Sequence, residues 1–184
     1  MISDEEAYRH YLRGEHSAAS ILVERYGDAL TLYLNGCIRN LHDAEDLMIE
    51  TFSRIFAKER PIADDGSFKA YLYKTARNLA LRHTRHRRLH LLHIEELSFE
   101  LPGDALAETE LFSRERDRQL YAALEQIKDE YREALFLVYF EGLSYRDAAK
   151  VMGKNEQQFN NLVYRGKRSL KTALEKEGFV YADE

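Results

Sequence analysis

Between Glu141 and Leu170 the chain concentrates side chains that can read and hold DNA. Gln157, Gln158, Asn160 and Asn161 are amides able to pair with adenine edges, while Arg165, Lys167, Arg168 and Lys171 can hold phosphate or guanine. Phe159, Leu162, Val163 and Leu170 recur at helical spacing, which puts the polar set on the other side of the same helix. Asn155 followed by Gln158 is a capping signal for its start. Upstream, Ser144 with Asp147 resembles a capping box, and Ala148, Ala149, Val151 and Met152 make a short helix whose small residues allow a second helix to cross closely. Gly153 ends it. Two helices joined by a tight glycine turn are the helix-turn-helix unit, whose second helix can enter the major groove. An ordinary helical hairpin with a solvated polar face fits the same spacing, so this pattern alone leaves both open.

A second surface suited to a polyanion lies upstream. The net charge is −5, yet residues 67–94 hold seven basic and no acidic side chains, against seven and 13 in residues 1–66. The block carries Lys69, Lys74, Arg77, Arg82, Arg85, Arg87 and Arg88, so a nucleic-acid partner is compatible with the acidic total. Phe68, Tyr71 and Tyr73 add aromatic rings on which unstacked bases of melted DNA could sit. Within the block, His83, His86, His90 and His93 are spaced so that a continuing helix would align them. That stripe suggests zinc or nickel, or else a polar strip beside DNA; it has no ordered Cys or carboxylate set with it. The expectation is no metal and no cofactor.

Enzyme chemistry finds little footing. No nucleophile elbow, metalloprotease motif or phosphate-binding Gly-rich loop occurs. The single cysteine, Cys37, rules out an internal disulfide and a Cys-based zinc finger, and is expected to be a buried thiol. No apolar stretch approaches the roughly 20 residues of a membrane helix. Ile2 to Arg9 also lack the order of a signal peptide, so a cytoplasmic protein is expected.

The elements that must position these residues are helices. Two prolines, Pro61 and Pro102, leave long helices permitted almost everywhere, and no segment sustains two-residue alternation, so the chain is expected to be all-α. Apolar residues from Ile21 to Ile38 mark one helix, and Leu47, Met48, Thr51, Phe52, Ile55 and Phe56 mark a second that follows from Asp43. Pro61 to Gly66 is a loop, and Ser67 caps a third helix burying Phe68, Leu72, Ala76 and Leu79, with Lys74, Asn78, Arg82 and Arg85 on another face. Residues 95–115 carry seven acidic side chains and the breaker run Leu101-Pro102-Gly103-Asp104, which suggests an acidic linker. Leu120, Leu124 and Ile127, then Ala134, Leu135 and Val138, suggest two more helices. Two small helical domains follow, 1–94 and 116–184, joined by 95–115.

Three stretches in order carry a family resemblance. Asp43-Ala44-Glu45-Asp46-Leu47-Met48-Ile49-Glu50-Thr51-Phe52 and Phe68-Lys69-Ala70-Tyr71-Leu72-Tyr73-Lys74-Thr75-Ala76-Arg77-Asn78-Leu79-Ala80 resemble the two most characteristic stretches of bacterial sigma factors. Glu141 to Ala149, through Tyr164-Arg165-Gly166-Lys167-Arg168, is similar to the C-terminal helix-turn-helix of their extracytoplasmic-function group. The resemblance covers roughly residues 14–94 and 116–174. It implies that Glu45, Asp46, Ile49 and Glu50 face core RNA polymerase. Phe68, Tyr71, Lys74, Arg77, Asn78, Arg82, Arg85 and Arg88 would meet the promoter −10 element, and the 58–67 loop would hold a flipped base. Gln157, Gln158, Asn160, Asn161, Tyr164, Arg165, Lys167, Arg168 and Lys171 would read the −35 element. An anti-sigma factor is an implied partner, and the tail Phe179-Val180-Tyr181 is a candidate contact for it. The sequence departs from the family pattern at Ile49, where a polar residue is usual, at Arg82, where Asp is common, and at Asn160-Asn161-Leu162. A stand-alone helix-turn-helix regulator is the rival reading, and it leaves the basic block and the Asp43 to Glu50 helix unused.

Overall fold

The computed structural model describes residues 2–62, 67–92 and 115–176, with the side chains of 88–92 and 115–118 left out. Among the described residues every regular element is helical. The chain divides into two compact units, residues 1–105 and 106–184. The acidic segment 95–115 lies outside the described residues, except for Glu115, which opens a helix.

The first unit is built from α1 (Asp4–Leu12), α2 (Ala18–Ile38), α3 (Leu41–Lys58) and α4 (Phe68–Leu92). A capping box starts α1: the Glu6 N–H donates to Ser3 Oγ at 3.2 Å, and the Ser3 N–H donates back to Glu6 Oε2. Helix α3 begins two residues earlier than the stripe suggested, because Asn40, in extended backbone, accepts the Asp43 N–H at 3.0 Å. At Ser67 the expected cap forms, its Oγ accepting the Ala70 N–H at 3.3 Å.

Apolar stripes on all four helices close one core around Leu22, Leu30, Leu34, Ile55, Leu72 and Tyr73. Burying side chains of this size contributes about 1.5–3 kcal/mol each. Helix α1 ties the α3–α4 connection at both ends. The Tyr8 hydroxyl donates to the Arg60 carbonyl at 3.0 Å, Tyr11 donates to Phe56 O at 3.3 Å, and Glu5 Oε1 accepts the Phe68 N–H at 3.1 Å. Asp4 accepts from Arg25 and Tyr26, fastening α1 to α2. Cys37 is exposed, a correction to the buried thiol expected: it sits at the edge of the α2 stripe, whose buried side is Tyr33, Leu34 and Ile38.

The second unit contains α5 (Glu115–Gln126), α6 (Asp129–Leu135), a π-helical turn (Phe136–Phe140), α7 (Tyr145–Met152) and α8 (Glu156–Lys176). Arg132 of α6 reaches Glu125 of α5 at 3.1 Å and pairs with Asp129 of its own helix at 2.6 Å. Gly166 of α8 is buried against α6, where an added Cβ would lie 3.3 Å from Tyr131 Cβ and 3.4 Å from Leu135 Cγ. A glycine lets the two backbones approach this closely. No described helix is long and apolar enough to cross a membrane.

Candidate nucleic-acid interface

Helices α7 and α8 form the helix-turn-helix that the capping signals mark. Ser144 Oγ accepts the Asp147 N–H at 3.1 Å and donates to the Asp147 carboxylate at 2.7 Å. At the other end Gly153 takes φ 64°, and the Lys154 N–H reaches back to Ala149 O at 2.9 Å. That six-to-one bond with a left-handed glycine is how a helix stops sharply. One residue on, Asn155 and Gln158 cap α8 reciprocally: Asn155 Oδ1 accepts the Gln158 N–H at 2.8 Å, and Gln158 Oε1 accepts the Asn155 N–H at 3.1 Å.

Helix α8 buries Phe159, Leu162 and Val163, leaves Leu170 half-buried, and exposes Gln157, Gln158, Asn160, Asn161, Tyr164, Arg165, Lys167, Arg168 and Lys171. These outward residues differ in how far they are already engaged. Gln158 spends its oxygen on the cap and keeps only its amide N–H donors. Arg168 lies 6.0 Å from the centre of the Tyr164 ring, and Lys171 is 4.0 Å from Glu175. Lys167 stands 4.9 Å from the centre of the Tyr139 ring. Tyr139, presented by the π-turn, went unremarked in the sequence because a five-residue turn shifts the face a side chain takes relative to the 3.6 period.

In the first unit α4 presents its cations as expected. Lys74, Asn78, Arg82 and Arg85 are exposed, and Tyr71 and Arg77 are half-buried. The Arg88 side chain, residues 63–66 of the loop, His93, the side chain of His90 and the tail 179–181 lie outside what the structure describes. Phe68 is fully buried against Tyr8, ring centres 5.2 Å apart, and Tyr73 is fully buried edge-on to Tyr33 at 5.1 Å. Neither ring is open to a DNA base; both support the surface from beneath. Leu81 is the apolar residue this face does expose.

Helix α3 exposes Glu45, Asp46 and Ile49, the last at 59%. Glu50 is half-buried and held by Arg54, one helical turn on, at 2.7 Å. Ile49 is thus a large apolar side chain left open on a helix face that also carries the exposed carboxylates of Glu45 and Asp46. Between α3 and α4 a groove of about 450 Å³ is floored by Leu47 and Leu79 and rimmed by Arg82, His86 and Arg87. Across it His83 Nε2 lies 3.2 Å from Asp43 Oδ2, so one member of the histidine stripe is a structural tie between helices. Among the described residues no three His, Cys, Asp or Glu side chains come together as a metal site.

Two models of the sigma-70 family match the chain, Sigma-70 region 2 over residues 22–90 and Sigma-70, region 4 over residues 117–170. The ECF RNA polymerase sigma factor SigM of Bacillus subtilis is 27% identical over 150 residues, covering 82% of this chain and 91% of SigM. SigE of Mycolicibacterium smegmatis, also an ECF RNA polymerase sigma factor, is 29% identical over 157 residues, 84% of this chain; the match spans only 61% of SigE. Among solved structures, the sigma factor RpoE from Bartonella quintana, crystallised with the anti-sigma factor NepR, has the same fold, with a TM-score of 0.67 at 22% identity over 85% of this chain and 96% of RpoE.

Proposed function

Because the chain belongs to the extracytoplasmic-function group of the sigma-70 family, we propose that it is a transcription initiation factor, not an enzyme, that binds core RNA polymerase and brings it to promoters. The observation that carries this reading is the presence, in one chain, of two cation-bearing helices with different chemistry. Helix α8 offers amides and cations from a doubly capped helix-turn-helix, suited to base edges in an intact −35 major groove. Helix α4 offers a row of cations on a rigid core, suited to the −10 element and to the strand that separates there.

Arg77, Asn78, Arg82 and Arg85 hold the −10 region. Gln157, Asn160, Asn161 and Arg165 face the −35 bases and backbone. On α3, Glu45, Asp46 and Ile49 meet the polymerase, with Glu50 orienting Arg54 beside them. The protein consumes no nucleotide of its own, so it opens DNA by preferring the separated strand, since a ligand shifts an equilibrium only by its differential affinity. Its work is in the cytoplasm, where polymerase and promoter are, and an anti-sigma factor that covers these faces keeps it silent. Domains 1–94 and 116–184 divide the labour, with 95–115 between them.

The test is transcription in vitro with core polymerase and purified protein across a library of genomic promoters. A defined subset of start sites should appear only when the protein is added. Absence of any protein-dependent start, together with failure to co-purify with polymerase, would leave a stand-alone helix-turn-helix regulator as the better reading.

A further inference from the structure

Lys167 lies on the exposed face of α8, where its charge would ordinarily count as a phosphate contact. Its surroundings argue otherwise. The π-turn Phe136–Phe140 swings Tyr139 outward, 52% exposed, and brings its ring beneath the Lys167 ammonium at 4.9 Å. Tyr145, the first residue of α7, packs its ring edge-on against Phe159 of α8 at 5.8 Å. The turn before the helix-turn-helix and the start of α7 are thus each tied to α8 by an aromatic ring.

We propose that Tyr139 is a positioning residue that withdraws Lys167 from the DNA-contacting cations and uses it to fix the register of α8 against the preceding turn. This rests on α8 being the DNA-reading helix. An ammonium over an aromatic face is attracted to the ring's negative quadrupole, and a donor to the phenol oxygen adds direction. The protonation preferences agree with that geometry. Tyr139 is drawn below the usual tyrosine range, first by the neighbouring Lys167 ammonium and then by the Tyr145 hydroxyl. Lys167 is pushed above the usual lysine range chiefly by the same phenol, and Tyr145 is raised first by its neighbour Tyr139. A lysine so held cannot reach for a phosphate without leaving the Tyr139 ring.

Counterion release separates the two roles. Each phosphate neutralised steepens the slope of log K against log salt by about 0.9 on duplex DNA. The full-length protein is titrated with a fluorescent 30-base-pair duplex of arbitrary sequence at several salt concentrations, with helical content checked for every variant. Arg165→Ala should flatten the slope by about that amount. Lys167→Ala should leave it unchanged. Tyr139→Ala should steepen it, because the lysine is released to the backbone, and adding Lys167→Ala to that variant should restore the parent value. Tyr139→Phe keeps the ring and should stay close to the parent, which covers the case in which the alanine variant folds poorly. A slope that flattens as much in Lys167→Ala as in Arg165→Ala overturns the proposal while leaving α8 on DNA. An unchanged slope in Arg165→Ala takes α8 off DNA and removes both readings.

Discussion

Glu5 and Phe68 stand 63 residues apart in sequence, and the Glu5 carboxylate accepts the first backbone N–H of α4 at 3.1 Å. The exposed N–H groups at a helix start need acceptors, and a negative charge there is favoured by the helix dipole. A side chain from another helix therefore does what a local cap does. Glu5→Ala should cost about 0.5–2 kcal/mol, the range of a lost N-cap. Glu5→Gln, which keeps an acceptor oxygen, should lose less. Urea unfolding followed by circular dichroism measures both, and equal losses would show that the bond contributes nothing.

Helix α3 should lose polymerase through its apolar centre as well as its charges. Ile49→Glu combined with Asp46→Lys should weaken association with core polymerase by about 1–3 kcal/mol and leave helical content unchanged. Glu50→Gln should act less directly, since Glu50 is paired with Arg54. Surface-plasmon titration against immobilised core polymerase checks this, and full affinity in the double variant would move the interface elsewhere.

The amides of α8 should separate into reading and capping. Asn161→Ala should change preference among −35 sequences without altering the salt slope, because an amide carries no charge. Gln158→Ala removes one half of the Asn155 box and should also lower the stability of the second unit, by about 0.5–1 kcal/mol. By contrast Arg85→Ala on α4 should flatten the salt slope and reduce opening of a promoter with a fluorescent base in its −10 element. Uniform loss across sequences in Asn161→Ala would end the recognition-helix assignment.

Alkaline pH should loosen the first unit through Tyr8. Burial, with Tyr71, Tyr11 and Glu59 nearby, pushes this phenol from 10.0 to about 12. The unfolded chain gives up the proton near pH 10 while the folded chain keeps it, so stability is full below pH 10 and is lost as pH rises towards 12. The two-unit difference amounts to about 2–3 kcal/mol. Tyr26 is raised in the same direction by burial and then by its bond to Asp4. Urea midpoints at pH 9, 10 and 11 should fall less steeply for Tyr8→Phe than for the parent. Parallel curves would remove Tyr8 as the source.

What was legible in the sequence was whatever a few consecutive residues settle. Ser67, Ser144, Gly153 and Asn155 announce helix ends because capping acts over three or four residues, and all four sit at such ends. Contacts between helices were not legible. Phe68 carries two expectations, a core position and a −10 contact, and its packing on Tyr8 of α1 puts it in the core; Tyr73 looks available to DNA until Tyr33 of α2 covers it. Helix α1 leaves little periodic trace because its stripe is short, although Ser3 and Glu6 spell a capping box. The Tyr139 cluster depends on a π-turn, and a single turn of five residues leaves no periodic trace.

The glycine at 166 sets a rule for anyone who would re-engineer this molecule's address. Exposed residues of α8 that neither cap the helix nor meet a ring, such as Asn160 and Asn161, can be exchanged without touching the core. The inward register is tighter: position 166 rides directly on Tyr131 and Leu135 of α6, so closely that even a Cβ there would press on both. A transplanted helix that is otherwise ideal for its new target, but carries leucine at that point, would have to lift off its bed and tilt the whole reading face. The alphabet can change only where the binding of the book is left intact.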